Sequence, residues 1–244
     1  MKNILLAAAV TMLAATATPS AAKKPKPIDI LVFSKTNGFR HASITDGIKA
    51  LGFMATENGW KIAFTEDSLQ FNTKNLAKYD VLVLLSPTGN VWGSAEKAAL
   101  TQYVKKGGGI VGIHAATDCQ SDWPWYNQMI GGTFESHPSG TPLAQLDVVD
   151  TIHLATKHLK TNWVRKDEWY NFKNLQPDNK VLLTIDETTY EGGKNGNYHP
   201  MSWYKIFEGG RIFYTALGHT PQSYTEPLFV AHLRGGILYA AGSK

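Results

Sequence analysis

The chain has 244 residues, of which 43% are hydrophobic and 18% are charged, with a formal net charge of +4. This composition excludes a disordered or fibrous protein and fits one globular unit with a sizeable core. The excess of basic residues is small and scattered, so we expect no nucleic-acid partner.

The first 22 residues have the features of a targeting segment. Lys2 precedes an apolar run over residues 4–17, and small residues at 20–22 form a cleavage site. This pattern predicts a secretory signal peptide over residues 1–22. The run is shorter than a membrane span, which needs about 20 residues. We therefore expect an exported, periplasmic or secreted protein with no stable membrane span after cleavage, and an uncleaved anchor is the alternative.

Residues 23–27 read as an exposed leader, and residues 28–242 as a single α/β domain. In chain order, the first half of this domain has strand patterns at 28–33, 60–64, 81–85 and 110–114, with helices that begin at Ile44 and Ser94. Nearly continuous apolar runs of this kind are typical of buried parallel strands. They predict a mostly parallel sheet with helices on both faces.

The second half of the domain is less regular. A hairpin turn is predicted at residues 208–210, and the glycine- and asparagine-rich residues 192–197 predict a flexible loop. Four more strands and a closing helix are predicted at 146–149, 181–185, 201–207, 211–216 and 227–239.

Histidines mark the ends of several predicted strands or the loops that follow them. In such sheets ligands bind outside the carboxyl ends of the strands, so side chains distant in sequence meet there. A single loop histidine is more often a solvated polar residue, but five at converging strand ends indicate a small-molecule site. These five are His41, His114, His137, His199 and His219.

A sharp turn is predicted where the strand at 110–114 ends. In nucleophile-elbow proteins a Ser or Cys occupies such a turn; here the position holds His114, which is no ordinary hydrolytic nucleophile. Cys119, the one cysteine, follows five residues later, and we expect an incidental buried thiol rather than a catalytic one. A single cysteine also excludes an internal disulfide.

Two carboxylates are candidates for acid–base work beside the histidines. Asp118 follows the His114 turn, and Glu168 precedes Trp169 and Tyr170, where we expect desolvation to raise its pKa. Histidine and carboxylate together also bind divalent metals, but no H-x-x-x-H or H-E-x-x-H pattern is present. The sequence therefore requires no cofactor and leaves a divalent metal such as zinc open.

Six motifs, in this order, resemble the ThuA-like (trehalose utilisation) family. Any one of them is a weak signal, but together they are specific, and the likeness covers nearly all of residues 28–242. The motifs span residues 38–44, 107–118, 131–138, 167–170, 199–203 and 210–219.

The resemblance implies a three-layer, flavodoxin-like fold of the class I glutamine amidotransferase-like superfamily. Because His114 stands where a true amidotransferase has cysteine, amidotransferase activity is not expected. The family is linked to disaccharide use, particularly to the handling of 3-keto-glycosides made by partner dehydrogenases. Fold alone does not establish that function.

We therefore expect a carbohydrate-active enzyme that cleaves a glycoside or 3-keto-glycoside, by hydrolysis or elimination, through histidine and carboxylate acid–base chemistry. The expected catalytic residues are His41, His114, Asp118, Glu168 and His219. The expected substrate-binding residues are Arg40, His137, Trp169, His199 and Trp203.

Two alternatives stay open at this point. A periplasmic sugar-binding protein without turnover would fit the seven tryptophans, because aromatic rings stack on sugar faces. A partner subunit of a sugar-oxidising system would bind a sugar dehydrogenase instead of free sugar. The enzyme is favoured because a pure binder needs few ionisable groups on converging loops.

Overall fold

The computed structural model describes residues 26–243. The predicted signal peptide and residues 23–25 of the predicted leader lie outside this range. The helices are α1 (Ile44–Asn58), α2 (Thr73–Leu76), α3 (Ser94–Lys105), α4 (Pro124–Ile130) and α5 (Pro227–Ala240). The strands are β1 (Asp29–Phe33), β2 (Lys61–Thr65), β3 (Val81–Leu85), β4 (Gly109–Ile113), β5 (Thr133–Ser136), β6 (Leu143–Val148), β7 (Asn162–Lys166), β8 (Asn171–Lys173), β9 (Lys180–Ile185), β10 (Pro200–Phe207) and β11 (Gly210–Thr215). Within residues 26–243, no helix has both the length and the apolar character that a bilayer crossing requires.

Nine strands form one sheet in the order β2-β1-β3-β4-β11-β10-β9-β6-β7, and β5 pairs with β8 separately. Neighbours from β2 to β11 are parallel, whereas those from β11 to β7 are antiparallel. Strands β10 and β6 reverse direction, so the other seven strands of this sheet run the same way. The predicted α/β fold with a mostly parallel sheet is therefore confirmed.

Helices cover both faces of the sheet at its centre. All five residues of β3 are buried, as the continuous apolar run Val81–Leu85 predicts for a strand packed on two sides. In β4, Gly109 lies against the backbone of Ala240 in α5, while Gly112 lies against Ile130 in α4. Residues three apart on a strand point to opposite faces, so α5 and α4 lie on opposite sides of β4.

Close packing of α5 gives a first prediction. A Cβ at Gly235 would overlap the backbone of Leu154 and Ala155, which no change of side-chain rotamer can relieve. We expect Gly235→Ala to lower the free energy of unfolding by about 1–3 kcal/mol through overpacking, measured by urea denaturation. The matched control is Gly52→Ala in α1, where the added Cβ would meet only Phe64 Cζ, at 3.9 Å, among the described residues. That variant should gain up to about 1 kcal/mol from helix propensity, and equal effects at both positions would contradict the packing described.

The carboxyl ends of the parallel strands form the edge of the sheet where a ligand site is expected. Strands β1, β4 and β11 run in the same direction, so the segments that follow Phe33, Ile113 and Thr215 leave from one edge of the sheet. Strand β7 also ends at this edge, because four reversals of direction separate it from β11 and the two strands therefore run the same way. The chain after Lys166 then returns across the edge toward the centre.

Candidate functional site

Four side chains from four separate segments meet above the carboxyl edge of the sheet. His41, His114, Glu168 and His219 each present one nitrogen or oxygen atom, and these four atoms all lie within 4.8 Å of one another. Three of the four residues are buried and His219 is partly exposed. We call these residues the four-residue cluster. All four are among the catalytic residues expected from sequence, and the structure brings them together.

His114 follows β4 directly and has a left-handed backbone conformation, with φ of 49°. This conformation is uncommon for a residue other than glycine and must be held by its surroundings. The Tyr214 hydroxyl donates a hydrogen bond to the carbonyl of His114 at 2.8 Å. The Thr117 hydroxyl is hydrogen-bonded to the same Tyr214 hydroxyl at 2.9 Å. The turn therefore projects the imidazole from the end of the strand, as the elbow pattern predicts.

The protonation of the His114 ring is fixed by its partner. Its Nδ1 lies 2.7 Å from the carbonyl oxygen of Ala216, and since a carbonyl only accepts, Nδ1 carries the hydrogen. In the neutral ring Nε2 then has a free lone pair. Nε2 lies 3.2 Å from Nδ1 of His219 and 3.4 Å from Oε2 of Glu168.

His219 is positioned by a buried carboxylate, Asp167. The backbone amides of Gly218 and His219 donate to Asp167 at 2.9 and 3.0 Å. Arg165 lies 3.1 Å from the same carboxylate, and both side chains are buried. The two hydrogen bonds anchor the loop after β11 to the segment after β7, and the ion pair with Arg165 holds Asp167 in place, so together they set the distance between His219 and Glu168.

His41 comes from the segment between β1 and α1. It is only 5% exposed, and its buried Nδ1 has no hydrogen-bond partner among the described residues. Its ring centre lies 4.7 Å from that of His114 and 5.2 Å from that of His219. The pKa of His41 is lowered to about 3, mainly by burial and to a smaller extent by the neighbouring imidazoles of His114 and His219.

Glu168 joins the cluster to a fifth residue, His137. Oε2 of Glu168 lies 3.1 Å from Nδ1 of His219, while Oε1 lies 3.2 Å from Nδ1 of His137. The expectation that desolvation raises the pKa of Glu168 is wrong. Burial does oppose the charged form, but the close imidazoles of His114 and His219 outweigh it, so the pKa is lowered and Glu168 is a carboxylate. Burial likewise opposes charging of His219, yet the hydrogen bond to Glu168 raises its pKa.

His137 stands at the outer side of the cluster. Its side chain is 40% exposed, and its Nδ1 faces the Pro138 carbonyl at 2.8 Å as well as Glu168. Because both neighbours accept, Nδ1 carries the hydrogen and the neutral ring keeps a lone pair on Nε2. A carboxylate that orients an imidazole in this way prepares it to accept a proton.

Aromatic rings surround the cluster. Tyr170 lies over His114 with ring centres 4.3 Å apart, and Phe134 packs on Tyr170 at 4.3 Å. Phe39 meets His41 edge-on at 4.9 Å, yet 68% of it is exposed. An exposed aromatic ring beside polar groups is suited to contact the face of a sugar.

Several residues expected to bind substrate lie elsewhere. Trp169 and Trp203 are fully buried, and their indole nitrogens donate to interior carbonyls of Pro142 and Ile130. They pack in the core and have no surface to offer a ligand, so we do not include them in the site.

His199, Arg40 and Asp118 are also outside the four-residue cluster. His199 is buried, with Nδ1 2.8 Å from Glu187 and Nε2 2.7 Å from the carbonyl of Tyr170. Arg40 forms a half-exposed ion pair with Glu66 at 2.6 Å. Asp118 ends the turn after β4, and burial raises its pKa. These contacts support the loops around the cluster.

Three features of the site were not singled out by sequence reasoning: Asp167, Tyr170 and Phe39. The signal for Asp167 was its place beside Glu168, since two adjacent carboxylates cannot both point outward from an extended segment. Cys119 is buried, and burial raises its pKa, which agrees with the expected inert thiol. A separate cavity of about 330 Å³ beside Asp80 and Arg211 lies at the opposite edge of the sheet and is lined by no histidine or cysteine among the described residues.

The family model described as "ThuA: Trehalose utilisation" matches residues 29–240. The fold is similar to that of a ThuA-like protein from Bacteroides uniformis, with a TM-score of 0.76 and 21% identity over 92% of this chain and 95% of that one. A ThuA-like protein from Parabacteroides merdae gives a TM-score of 0.73 and 22% identity over 89% and 91% of the two chains.

A GMP synthase protein from Thermoplasma acidophilum is similar at a TM-score of 0.56 and 13% identity, over 89% of this chain and 96% of that one. At such identities the likeness to these three structures shows the fold alone. No curated protein sequence matches the chain.

Proposed function

Because the chain belongs to the ThuA (trehalose utilisation) family, we propose that it is a carbohydrate-active enzyme that cleaves a 3-keto-glycoside at the four-residue cluster. The observation that carries the proposal is the position of Glu168. One of its oxygens lies among the imidazoles of the cluster, and the other orients His137 at the exposed side. A proton acceptor and a polar pocket for developing negative charge thus lie side by side.

A ketone at C3 of a sugar makes this arrangement useful. The carbonyl acidifies the hydrogen on C2, and removal of that proton moves the electron pair into an enolate on the C3 oxygen. Collapse of the enolate re-forms the C3 carbonyl and a C1–C2 double bond as the C1–oxygen bond breaks. The leaving oxygen takes up one proton, so the proton count balances, and addition of water to the double bond completes a net hydrolysis.

The residues divide this work by position. His137, oriented by Glu168, accepts the C2 proton on Nε2 and returns it to the glycosidic oxygen. The C3 oxygen lies against the four-residue cluster, where an N–H of the partly exposed His219 donates a hydrogen bond that stabilises an enolate more than the ketone. The strained turn at His114 and the buried Asp167 keep these groups fixed.

Phe39 gives a prediction about substrate binding. Its exposed ring beside His41 is placed to stack on a sugar ring, and it contributes little to the core. We expect Phe39→Ala to raise KM by about tenfold, which corresponds to the loss of a contact of about 1.4 kcal/mol, with kcat changed much less. Steady-state kinetics on the keto-sugar measure this change. The matched control is Phe53→Ala, which removes a different exposed phenylalanine that lies on α1. A fall in kcat alone would contradict a binding role.

Mass spectrometry of reaction mixtures tests the proposed function. The protein is incubated with trehalose and with 3-keto-trehalose, and we expect release of glucose only from the keto-sugar. In heavy water, recovered keto-sugar should also gain deuterium at C2. Calorimetric binding of sugar without product after long incubation would overturn the proposal in favour of a sugar-binding protein. Affinity for a dehydrogenase but not for free sugar would overturn it in favour of a partner subunit.

We also propose that the enzyme acts after export, on the basis of the signal-peptide features of residues 1–22. The test is N-terminal sequencing of the protein recovered from the periplasm or the medium. We expect the mature chain to begin at Lys23, and recovery only from the cytoplasm with an intact N-terminus would contradict export.

A further inference from the structure

We infer that His41, His114, Glu168 and His219 bind one divalent ion of the first-row transition metals, for which Zn²⁺ is the probe. The inference concerns the same site as the proposed function. Its catalytic meaning rests on that function, whereas ion binding itself does not.

The spacing of the donor atoms is the first argument. Two ligands about 2.05 Å from a tetrahedral zinc ion are about 3.3 Å apart. The three pairwise distances among His114 Nε2, His219 Nδ1 and Glu168 Oε2 are 3.2, 3.4 and 3.1 Å. These three atoms therefore already form one face of a tetrahedron around a single point, and His41 supplies a fourth donor within 4.8 Å of the others.

The hydrogen-bond inventory is the second argument. With its hydrogen committed to the Ala216 carbonyl, His114 directs a lone pair from Nε2 toward His219 and Glu168. Glu168 Oε2 can only accept as well, so two acceptors meet at one point. The single hydrogen that His219 could place there leaves one of the two unmatched, and His41 Nδ1 is buried without a partner among the described residues. A cation at this point satisfies the free lone pairs together.

The surroundings of the donors are the third argument. Metal-bound histidines commonly donate their second ring nitrogen to a backbone carbonyl, as His114 does to Ala216. The segment that carries His219 is fixed by Asp167, which accepts from two backbone amides. Both ligands are thus oriented before any ion arrives, which reduces the free-energy cost of binding.

The chemistry of the donors selects the class of ion. Three imidazole nitrogens and one carboxylate oxygen suit Zn²⁺, Co²⁺, Ni²⁺ or Fe²⁺, whereas Ca²⁺ and Mg²⁺ prefer all-oxygen ligands. With the C3 oxygen of a keto-sugar as a fifth ligand, such an ion would stabilise the enolate by Lewis-acid polarisation. His137 contributes no atom to the four-residue cluster and stays free to transfer the proton.

Metal titration of the purified, tag-free protein after treatment with a chelator tests the inference. We expect one equivalent of Zn²⁺ to bind by calorimetry and one Co²⁺ to give the visible absorption of a site with nitrogen ligands, with no binding of Mg²⁺ at the same concentration. Glu168→Gln and His219→Asn should each weaken Zn²⁺ binding by about 100-fold or more. The matched control, His158→Asn, removes an exposed imidazole and should leave it unchanged.

Two results would overturn the inference. One is the absence of stoichiometric Zn²⁺ and Co²⁺ binding by the wild-type protein. The other is binding that persists in Glu168→Gln and His219→Asn, which would place the ion elsewhere on the surface. Because these readouts need no sugar, a protein that binds the ion but leaves 3-keto-trehalose intact would contradict the proposed function alone.

Discussion

Replacement of Asp167 by asparagine is expected to lower the free energy of unfolding by about 3–5 kcal/mol. The carboxylate accepts hydrogen bonds from the backbone amides of Gly218 and His219 and pairs with the guanidinium of Arg165, and all of these contacts are buried or nearly so. Removing one charge of a buried pair is costly, because Arg165 would keep only its pairing with the partly exposed Glu226 and two backbone amides would lose a charged acceptor. Urea denaturation followed by circular dichroism measures the change.

A surface ion pair provides the matched control for this variant. Asp46 pairs with Lys49 across one turn of α1, with Lys49 exposed and Asp46 partly exposed. Asp46→Asn makes the same chemical change, and we expect it to cost less than about 1 kcal/mol. If Asp167→Asn cost no more than Asp46→Asn, the carboxylate would not be what holds the loop of His219 in place.

Replacement of His114 is expected to reduce turnover of the keto-sugar by about 10²- to 10⁴-fold. Asparagine is the variant of choice, because it tolerates the left-handed backbone at this position better than alanine does. It keeps the turn but lacks a nitrogen where Nε2 lies near His219 and Glu168. Initial rates of glucose release, followed by mass spectrometry, measure the loss.

Two controls separate a lost functional group from a lost fold. The melting temperature of His114→Asn should stay within a few degrees of the wild-type value. His158→Asn should keep full turnover, because His158 is exposed and outside the four-residue cluster, with its Nε2 against the Leu228 carbonyl. Wild-type turnover by a folded His114→Asn protein would remove His114 from the reaction.

The sequence predicted the parallel part of the fold well because the strands at the centre of the sheet contain no charged or polar side chains. Residues 81–85 are uniformly apolar, and β3 has these same bounds. Strand β7 was missed for the opposite reason. Its inward residues are Trp163 and Arg165, and a buried arginine breaks the apolar alternation by which a strand is recognised. The ion pairs with Asp167 and with the distant Glu226 make the burial of Arg165 favourable.

Short elements were missed because they are stabilised by other parts of the chain. Strand β8 has three residues and pairs with β5, and neither has enough apolar pattern to be identified alone. The predicted flexible loop 192–197 is tied down by contacts of the same kind: the Asn195 side chain bonds the backbone of Phe172, and Glu187 accepts from two amides of the loop. These partners are 8 to 23 residues away in sequence and leave no local signal.

The candidate site could be located from sequence because its residues follow strands of known direction. His41, His114 and His219 were grouped by that rule, and the structure brings them within ligand-sharing distance. The aromatic residues could not be sorted in the same way. Exposed Phe39 lies in the loop between β1 and α1, whereas buried Trp203 lies in β10. Their burial depends on packing that the sequence pattern does not encode. The direction of the pKa shift of Glu168 likewise required the positions of His114 and His219.

Glu168→Gln tests the four-residue cluster most directly, since Glu168 contacts both the imidazoles of the cluster and His137. The measurement is glucose released from 3-keto-trehalose by the wild-type protein and by this variant, at equal concentrations of folded protein. We expect the wild type to release glucose and the variant to be slower by about 10²- to 10⁴-fold. Equal rates for the two proteins would contradict the assignment of the chemistry to this cluster.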